Sequence, residues 1–345
     1  MNILITGANG FVGKALMERL IKSGHHITAL VRKKKRIHKH DKVNWLVGDL
    51  SHPETLPELG KIDKAYYLVH GLREDERLFE HEESLTAVNF INWIRPTGAD
   101  IIYLGALVPR IDKLSPHLRS RQLTGAILGA SGLNVIEFRA SIVLGKDSLS
   151  FEMIKALAER FPVIPDVELL NRPCQPLALE DLLKYLEQSL VLPGIGHRIF
   201  EIGGPDVTTY GELLELYAKL SGLKRIKLKL PEIDLKVIRK ILDYSLPEHS
   251  QIGKKLTDSL EFPTVVTNNL AREAFPEVEP LGLSESMDQA RMNSETHYPP
   301  IWERDFIKLV LSDKLLSQSG LFSPEVLSKL EKLEKLKNII TRKRK

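Results

Sequence analysis

Residues 1–14 read MNILITGANGFVGK, and this stretch decides the fold. Asn2-Ile3-Leu4-Ile5 is a short apolar run of the kind that fills a buried parallel strand. Thr6 to Gly10 supplies a turn. Phe11-Val12-Gly13-Lys14-Ala15-Leu16 then opens a helix, with Phe11, Val12, Ala15, Leu16 and Leu20 on one stripe. Gly7, Gly10 and Gly13 give G-x-x-G-x-x-G between strand and helix. Gly7 permits a backbone angle that other residues resist. Gly10 lets the main chain approach a pyrophosphate, and Gly13 lets helix and strand pack closely. A pyrophosphate then sits on the helix N-terminus, where N–H groups and the dipole favour anions. The candidate cofactor contacts of this stretch are Thr6, Gly7, Asn9, Gly10, Phe11, Val12 and Gly13.

Outward from this unit, the helix stops near Ser23-Gly24, and His26 to Val31 forms a second strand. Arg32 follows, then Lys33, Lys34, Lys35 and Arg36. An acidic residue at this distance from the glycine turn holds the ribose 2′-hydroxyl of NAD, whereas a cation accommodates a 2′-phosphate. Here the position is cationic. Arg32 is therefore a candidate for the 2′-phosphate, with NADP(H) preferred and NAD(H) the second choice; Lys34 to Arg36 read as a solvated loop. Val43 to Val47 is the third strand and ends in Gly48-Asp49-Leu50. Asp49, with Leu50, lies beside the adenine in such a fold, or else Asp49 caps the turn before Pro53. Lys64 to His70 is the fourth strand, whose end brings Val69 and His70 to the cofactor crevice.

A charged helix is expected over Glu74 to Ile94, with Leu85, Val88, Asn89 and Ile91 turned inward. Asp100 to Leu104 is the fifth strand, ending in Gly105-Ala106-Leu107. Ser115 and Pro116 cap and start the next helix, which puts His117 in its first turn and Arg121 four residues on, on the same face. Val135 to Arg139 is the sixth strand. Strand and helix alternate through residue 145, which predicts a Rossmann-type doubly wound parallel sheet with ligand at the carboxyl ends of its strands.

Beyond residue 145 the regularity falters. Helices are expected over Ser150 to Arg160, Leu179 to Leu190, Tyr210 to Leu220, Ile233 to Leu260 and Leu281 to Arg291. An irregular Pro-rich loop is expected over Phe161 to Pro176, and strands over His197 to Gly204 and Lys224 to Leu230. The domains so drawn are a dinucleotide-binding core over 1–145 with a returning strand near 197–204, a smaller substrate lobe over most of 146–300, and a helical, basic tail over 301–345. From Ser323 the tail is Leu/Glu/Lys-rich and ends in Arg-Lys-Arg-Lys. It is either a surface helix with a basic end or a contact to an anionic membrane or a partner helix.

The chain carries 49 Lys and Arg against 45 Asp and Glu, and its basic excess is concentrated in two short runs. That pattern points to local anion sites rather than a nucleic-acid-binding face. Cys174 is the single cysteine, so neither an intramolecular disulfide nor a Cys-rich metal site is expected. No apolar run reaches the roughly 18 residues of a membrane span, and the first strand begins too early for a signal peptide. The expectation is a cytoplasmic protein, monomeric or homodimeric, with a small-molecule substrate and no metal.

TGANGFVG, Val31-Arg32, Gly48-Asp49-Leu50 and Phe200-Glu201-Ile202-Gly203-Gly204-Pro205 resemble the extended and atypical short-chain dehydrogenase/reductases. Ala65 to His70, Tyr103 to Leu107, Ser115 to Gln122 and Ser150 to Met153 are more particular. They resemble an atypical subgroup of NAD(P)H-binding proteins described as nucleoside-diphosphate-sugar epimerase-like. The likeness runs from residue 1 to about 293. It implies NADP(H) or NAD(H) at the glycine turn and an oxidoreductase or epimerase acting on a small molecule. The other expectation is an NADP(H)-binding redox sensor or assembly factor without turnover.

The superfamily's catalysts are a Ser or Thr after the fifth strand and a Tyr-x-x-x-Lys on the next helix. Here Gly105 and Ala106 stand at the first place, and His117 and Arg121 at the second with the spacing kept. His117 is the candidate proton carrier and Arg121 the candidate for ribose or an anionic substrate, with His70 as a second proton carrier and Gly105 beside the cofactor. The alternative is that His117 and the arginines cap and solvate a helix end.

Overall fold

A computed structural model describes residues 1–33, 41–69, 76–109, 114–229 and 260–298. The expectations for Lys34 to Arg36, His70, the helix over Ile233 to Leu260 and the 301–345 tail fall almost wholly outside these residues. The chain divides into two compact units.

The first unit comprises Met1–Glu152, Pro173–Thr208 and Phe262–Ser294. Its elements begin with β1 (Asn2–Thr6), α1 (Phe11–Lys22), β2 (His26–Val31), β3 (Val43–Val47) and β4 (Lys64–Tyr67). They continue with α2 (Glu76–Ile94), β5 (Asp100–Ala106), α3 (Pro116–Gly129) and β6 (Val135–Ala140). After the start of α4 (Leu149–Arg160) come α5 (Leu179–Gln188) and β7 (His197–Ile202). The seven strands form one parallel sheet in the order β7-β6-β5-β4-β1-β2-β3. The order reverses between β1 and β4, which makes their carboxyl ends the switch point where ligands bind in such sheets.

Strand periodicity sends alternate residues to opposite faces. Ile3 and Ile5 join one apolar core with Leu16 and Leu20 of α1 and Leu182 and Leu186 of α5. Leu4 joins the other with Tyr67, Tyr103, Ala87 and Phe90 of α2, and Leu128 of α3. Both faces are therefore covered, as the expected doubly wound sheet requires. The Arg19 guanidinium ties α1 to α5 through Glu180 and Glu187, at 2.5 and 2.6 Å.

Several boundaries and faces differ from the sequence reading. β4 ends at Tyr67 rather than His70, while β5 runs on to Ala106 because Gly105 and Ala106 still pair with Arg139 and Ala140. On α2 the inward stripe is Ala87, Phe90, Ile91 and Ile94; Leu85 and Val88 are each 42% exposed. Positions four and seven apart share a helix face, and the stripe set by Ala87 and Ile94 leaves Leu85 and Val88 off it. The lobe expected over most of 146–300 is divided, since 173–208 and 262–294 lie in the unit that holds the sheet.

Of the second unit, 153–172, 209–229, 260–261 and 295–298 are described. Phe161 to Arg172, expected to be irregular, includes the strand Val163–Asp166, which pairs in parallel with Ile226–Lys229. α6 (Tyr210–Leu220) starts from Thr209, whose hydroxyl accepts from Glu212 N while the Glu212 carboxylate accepts from Thr209 N. This reciprocal cap fixes the helix start. Glu159 gathers the Tyr217 hydroxyl at 2.6 Å and the Tyr298 amide at 2.8 Å.

Candidate dinucleotide site

The glycine turn has the geometry its spacing implies. Gly7 adopts φ +72°, and a Cβ there would stand 2.6 Å from the Leu68 carbonyl oxygen at the end of the neighbouring chain segment. A Cβ on Gly13 would stand 2.2 Å from the Gly7 carbonyl oxygen, so Gly13 packs the helix against the turn itself. Gly10 donates its N–H to the Gly7 carbonyl at 2.8 Å, and a Cβ there would meet only that oxygen, at 3.1 Å. It is exposed, extended and serves as the α1 N-cap without a side-chain bond, and the first turn of α1 carries no acidic residue. An open backbone edge, an uncapped helix N-terminus and no opposing carboxylate fit a dinucleotide's pyrophosphate.

The other residues predicted for this site occupy varied positions. Thr6 is buried, and its hydroxyl donates to the Tyr66 carbonyl at 3.0 Å, which clamps β1 to β4 at the switch point. Asn9, Phe11 and Val12 are half-buried around the turn. Arg32 is exposed immediately past β2. Asp49 forms a local turn: its Oδ1 accepts from Ser51 N at 2.9 Å, and its N–H donates to the Thr55 hydroxyl at 2.9 Å. Leu50 is buried, and its carbonyl accepts from the Asn89 amide at 2.7 Å. His70 lies outside the described residues, so no geometry joins it to the others.

The second group forms around the start of α3. Ser115 caps it by accepting from Leu118 N at 3.2 Å, with Pro116 in the first position. This puts His117, half-buried, in the first turn. Arg121 is buried one turn on. Its guanidinium donates to the Leu104 carbonyl at 2.7 Å and to the Val69 carbonyl at 3.4 Å, and stacks 5.3 Å over the Tyr103 ring. It therefore stitches α3 to the ends of β4 and β5. Burial disfavours its charge, but Tyr103, Glu83, Tyr67 and Glu137 outweigh that and hold its pKa above the ordinary arginine value. Glu83 of α2 lies 3.9 Å from Arg121 and accepts from the Ser120 hydroxyl, while Arg119 pairs outside with Glu80 at 2.6 Å.

Sequence reasoning missed the carboxylate partners of this end of the sheet. Glu83 and Glu137 are both buried and both meet cations. The available signal was Glu137 itself, an acid in the middle of the apolar strand VIEFRA, and the glycine pair Gly125 and Gly129 on the helix that crosses it.

A parallel sheet with reversed order, a glycine turn at the reversal and a helix returning over the next strand ends define a Rossmann-type α/β fold. Over residues 3–105 the chain matches the family described as "NAD dependent epimerase/dehydratase family". It is 26% identical over 235 residues to "Ceramide reductase" of Caulobacter vibrioides, covering 67% of this chain and 74% of that one. It is 22% identical over 291 residues to "Photosystem II assembly factor Ycf39" of Trieres chinensis, covering 80% and 85%. A nucleoside-diphosphate-sugar epimerase from Staphylococcus aureus shares the fold with a TM-score of 0.66 at 14% identity, covering 84% of this chain and 100% of that one. Among the described residues no helix is long and apolar enough to cross a membrane.

Proposed function

We propose that the protein is a cytoplasmic NADP(H)-dependent oxidoreductase or epimerase-type enzyme acting on a small molecule. The observation that carries the reading is the Gly7–Gly10–Gly13 cradle, open on its backbone edge at the switch point of the sheet. Thr6 to Gly13 would hold the pyrophosphate. Exposed Arg32, where an acid would favour NAD, supports the 2′-phosphate. When bound, the nicotinamide supplies or takes a hydride. His117, at the start of α3, would give or take the accompanying proton. Arg121 ties α3 to the ends of β4 and β5 through the Leu104 and Val69 carbonyls.

A second reading is an NADP(H)-binding sensor or assembly factor without turnover. It is favoured by Gly105 and Ala106 in place of the superfamily hydroxyl and by the commitment of Arg121 to main-chain carbonyls. Both readings predict that NADPH binds, seen as enhanced nicotinamide fluorescence, and that NADH binds more weakly. Equal affinities remove Arg32 from the 2′-phosphate, and binding of neither nucleotide overturns the proposal. Loss of substrate-dependent NADPH oxidation in His117→Gln, with NADPH affinity kept, separates the enzyme from the sensor.

A further inference from the structure

Val135, Glu137 and Arg139 alternate along β6 and face α3, and the register sets Tyr103 beside Glu137 and Gly105 beside Arg139. Glu137 is 1% exposed. One of its oxygens accepts from Arg139 Nε at 2.6 Å, and the other bonds His197 Nε2 at 2.8 Å. The helix is glycine where it crosses this pair. A Cβ on Gly125 would stand 2.6 Å from both Glu137 oxygens, and one on Gly129 would stand 2.1 Å from His197 Nδ1. Both oxygens of Glu137 are thus taken by neighbours, and the helix passes too closely to admit another group.

Arg139 differs. Its side chain is 21% exposed, and among the described residues its only hydrogen bond is the one from Nε. The two terminal nitrogens, which form the end-on fork of a guanidinium, donate to none of these residues. From Glu137, Arg139 lies about 6.6 Å toward the carboxyl end of the sheet. α3 runs the opposite way, so Arg121, four residues before Gly125, lies about 6 Å along it in the same direction. Arg139 is therefore level with Arg121 and one turn inside His117. Gly105, its register partner, has no side chain of its own, and a Cβ there would meet the Tyr103 ring at 3.0 Å and a Glu137 oxygen at 3.5 Å rather than the Arg139 fork.

We propose that Arg139 is a substrate-binding residue whose terminal fork holds a carboxylate of the substrate, and that Glu137, backed by His197, positions it. This rests on the reading of the site as one for a nicotinamide nucleotide, whose reactive half belongs on the β4–β6 side of the switch point. A planar pair of oxygens carrying one charge matches the fork. A dianionic phosphate fits poorly, because Glu137 is bonded to Arg139 Nε and the next strand's Glu201 stands in register with Arg139. Glu201 is already engaged by the Thr267 N–H and hydroxyl at 2.6 and 2.8 Å.

The test uses the full chain loaded with NADPH and follows nicotinamide fluorescence while 2-oxobutyrate or phenylpyruvate is added, each alongside its methyl ester. The wild type is expected to bind at least one acid and to prefer it over the ester. Arg139→Gln should weaken that acid at least tenfold and abolish the preference over the ester, with NADPH affinity unchanged. Arg139→Lys, which keeps the charge without the fork, should retain part of the binding. Wild-type binding of neither acid, equal binding of acid and ester, or an Arg139→Gln variant matching the wild type would each overturn the assignment while leaving the cofactor reading intact. Failure of the wild type to bind NADPH overturns both.

Discussion

Adding one methyl group at either of two glycines should separate what the turn does for the ligand from what it does for the fold. Gly10 has φ −75° and ψ 170°, which alanine adopts, and its Cβ would meet only the Gly7 oxygen at 3.1 Å. Gly10→Ala should therefore fold, at a cost of about 0.5–1 kcal/mol for the poorer N-cap. The new methyl projects beside N–H groups that must come within about 2.9 Å of a phosphate oxygen. Losing one such charge-assisted bond costs about 1.5–3 kcal/mol, or roughly ten- to a hundredfold in NADPH affinity. Gly13→Ala is different, because its Cβ would stand 2.2 Å from a main-chain oxygen that cannot rotate away. The turn must move by about 1 Å, a strain of about 1–3 kcal/mol. Paired melts and NADPH titrations read both effects. Gly10→Ala should keep its midpoint within a few degrees and lose affinity, whereas Gly13→Ala should lose both. Wild-type affinity in Gly10→Ala would refute the backbone cradle, and a wild-type midpoint in Gly13→Ala would refute the packing argument.

Arg32→Asp should weaken NADPH at least tenfold and leave NADH unchanged or tighter, measured by the same titration at fixed salt. Gly125→Ala, with its Cβ 2.6 Å from both oxygens of a carboxylate already bonded on two sides, should lower the urea midpoint by the equivalent of about 1–3 kcal/mol. Burial pushes the Tyr66 and Tyr67 hydroxyls above the ordinary tyrosine range, and pushes Tyr103 to about 12 although Arg121 pulls the other way. A raised acid keeps its proton longer in the folded state, so stability should be flat in these groups below pH of about 10 and fall as pH rises past it. Melts across that range, with Tyr103→Phe as the comparison, read the effect.

The sheet was legible because each strand carries its own signal: an apolar run, a glycine or acid at its end, and a helix start after it. β1, α1, β2, β3 and α6 end where the residues predicted, to within a position or so. The ends of β4 and β5 were not legible, because strand length there depends on what the neighbouring strand offers. Ala106 remains in the sheet only because Ala140 is opposite it. On α2, counting apolar residues placed Leu85 and Val88 inside. The buried face is set instead by Phe90 against Tyr67, whose rings lie 4.8 Å apart. Asp49 offered two readings, and its bonds to Ser51 and Thr55 realise the turn. Glu137 and His197 could not be joined from sequence, since their contact runs between strands 60 residues apart.

Motif register and chemical role part company at α3. Arg121 stands where the short-chain dehydrogenase/reductases that the sequence resembles place a lysine, and the spacing from His117 is kept, yet its guanidinium is buried on the Leu104 carbonyl and over Tyr103. A lysine has neither the planar fork nor the stacking face for that arrangement. Nearby, Arg139 carries the complementary pattern, with one nitrogen held by a buried acid and the terminal pair without a partner among the described residues. Glu83 on α2 stands 3.9 Å from Arg121, and Glu137 on β6 bonds Arg139 at 2.6 Å while also acting on Arg121. Removing the acid from the buried Glu83–Arg121 pair leaves the arginine without that carboxylate, at a cost of about 3–5 kcal/mol. The positive end of this site is therefore inseparable from two acids that no motif contains. A substitution at either acid acts on the site through its arginine, and a change at His117 does not.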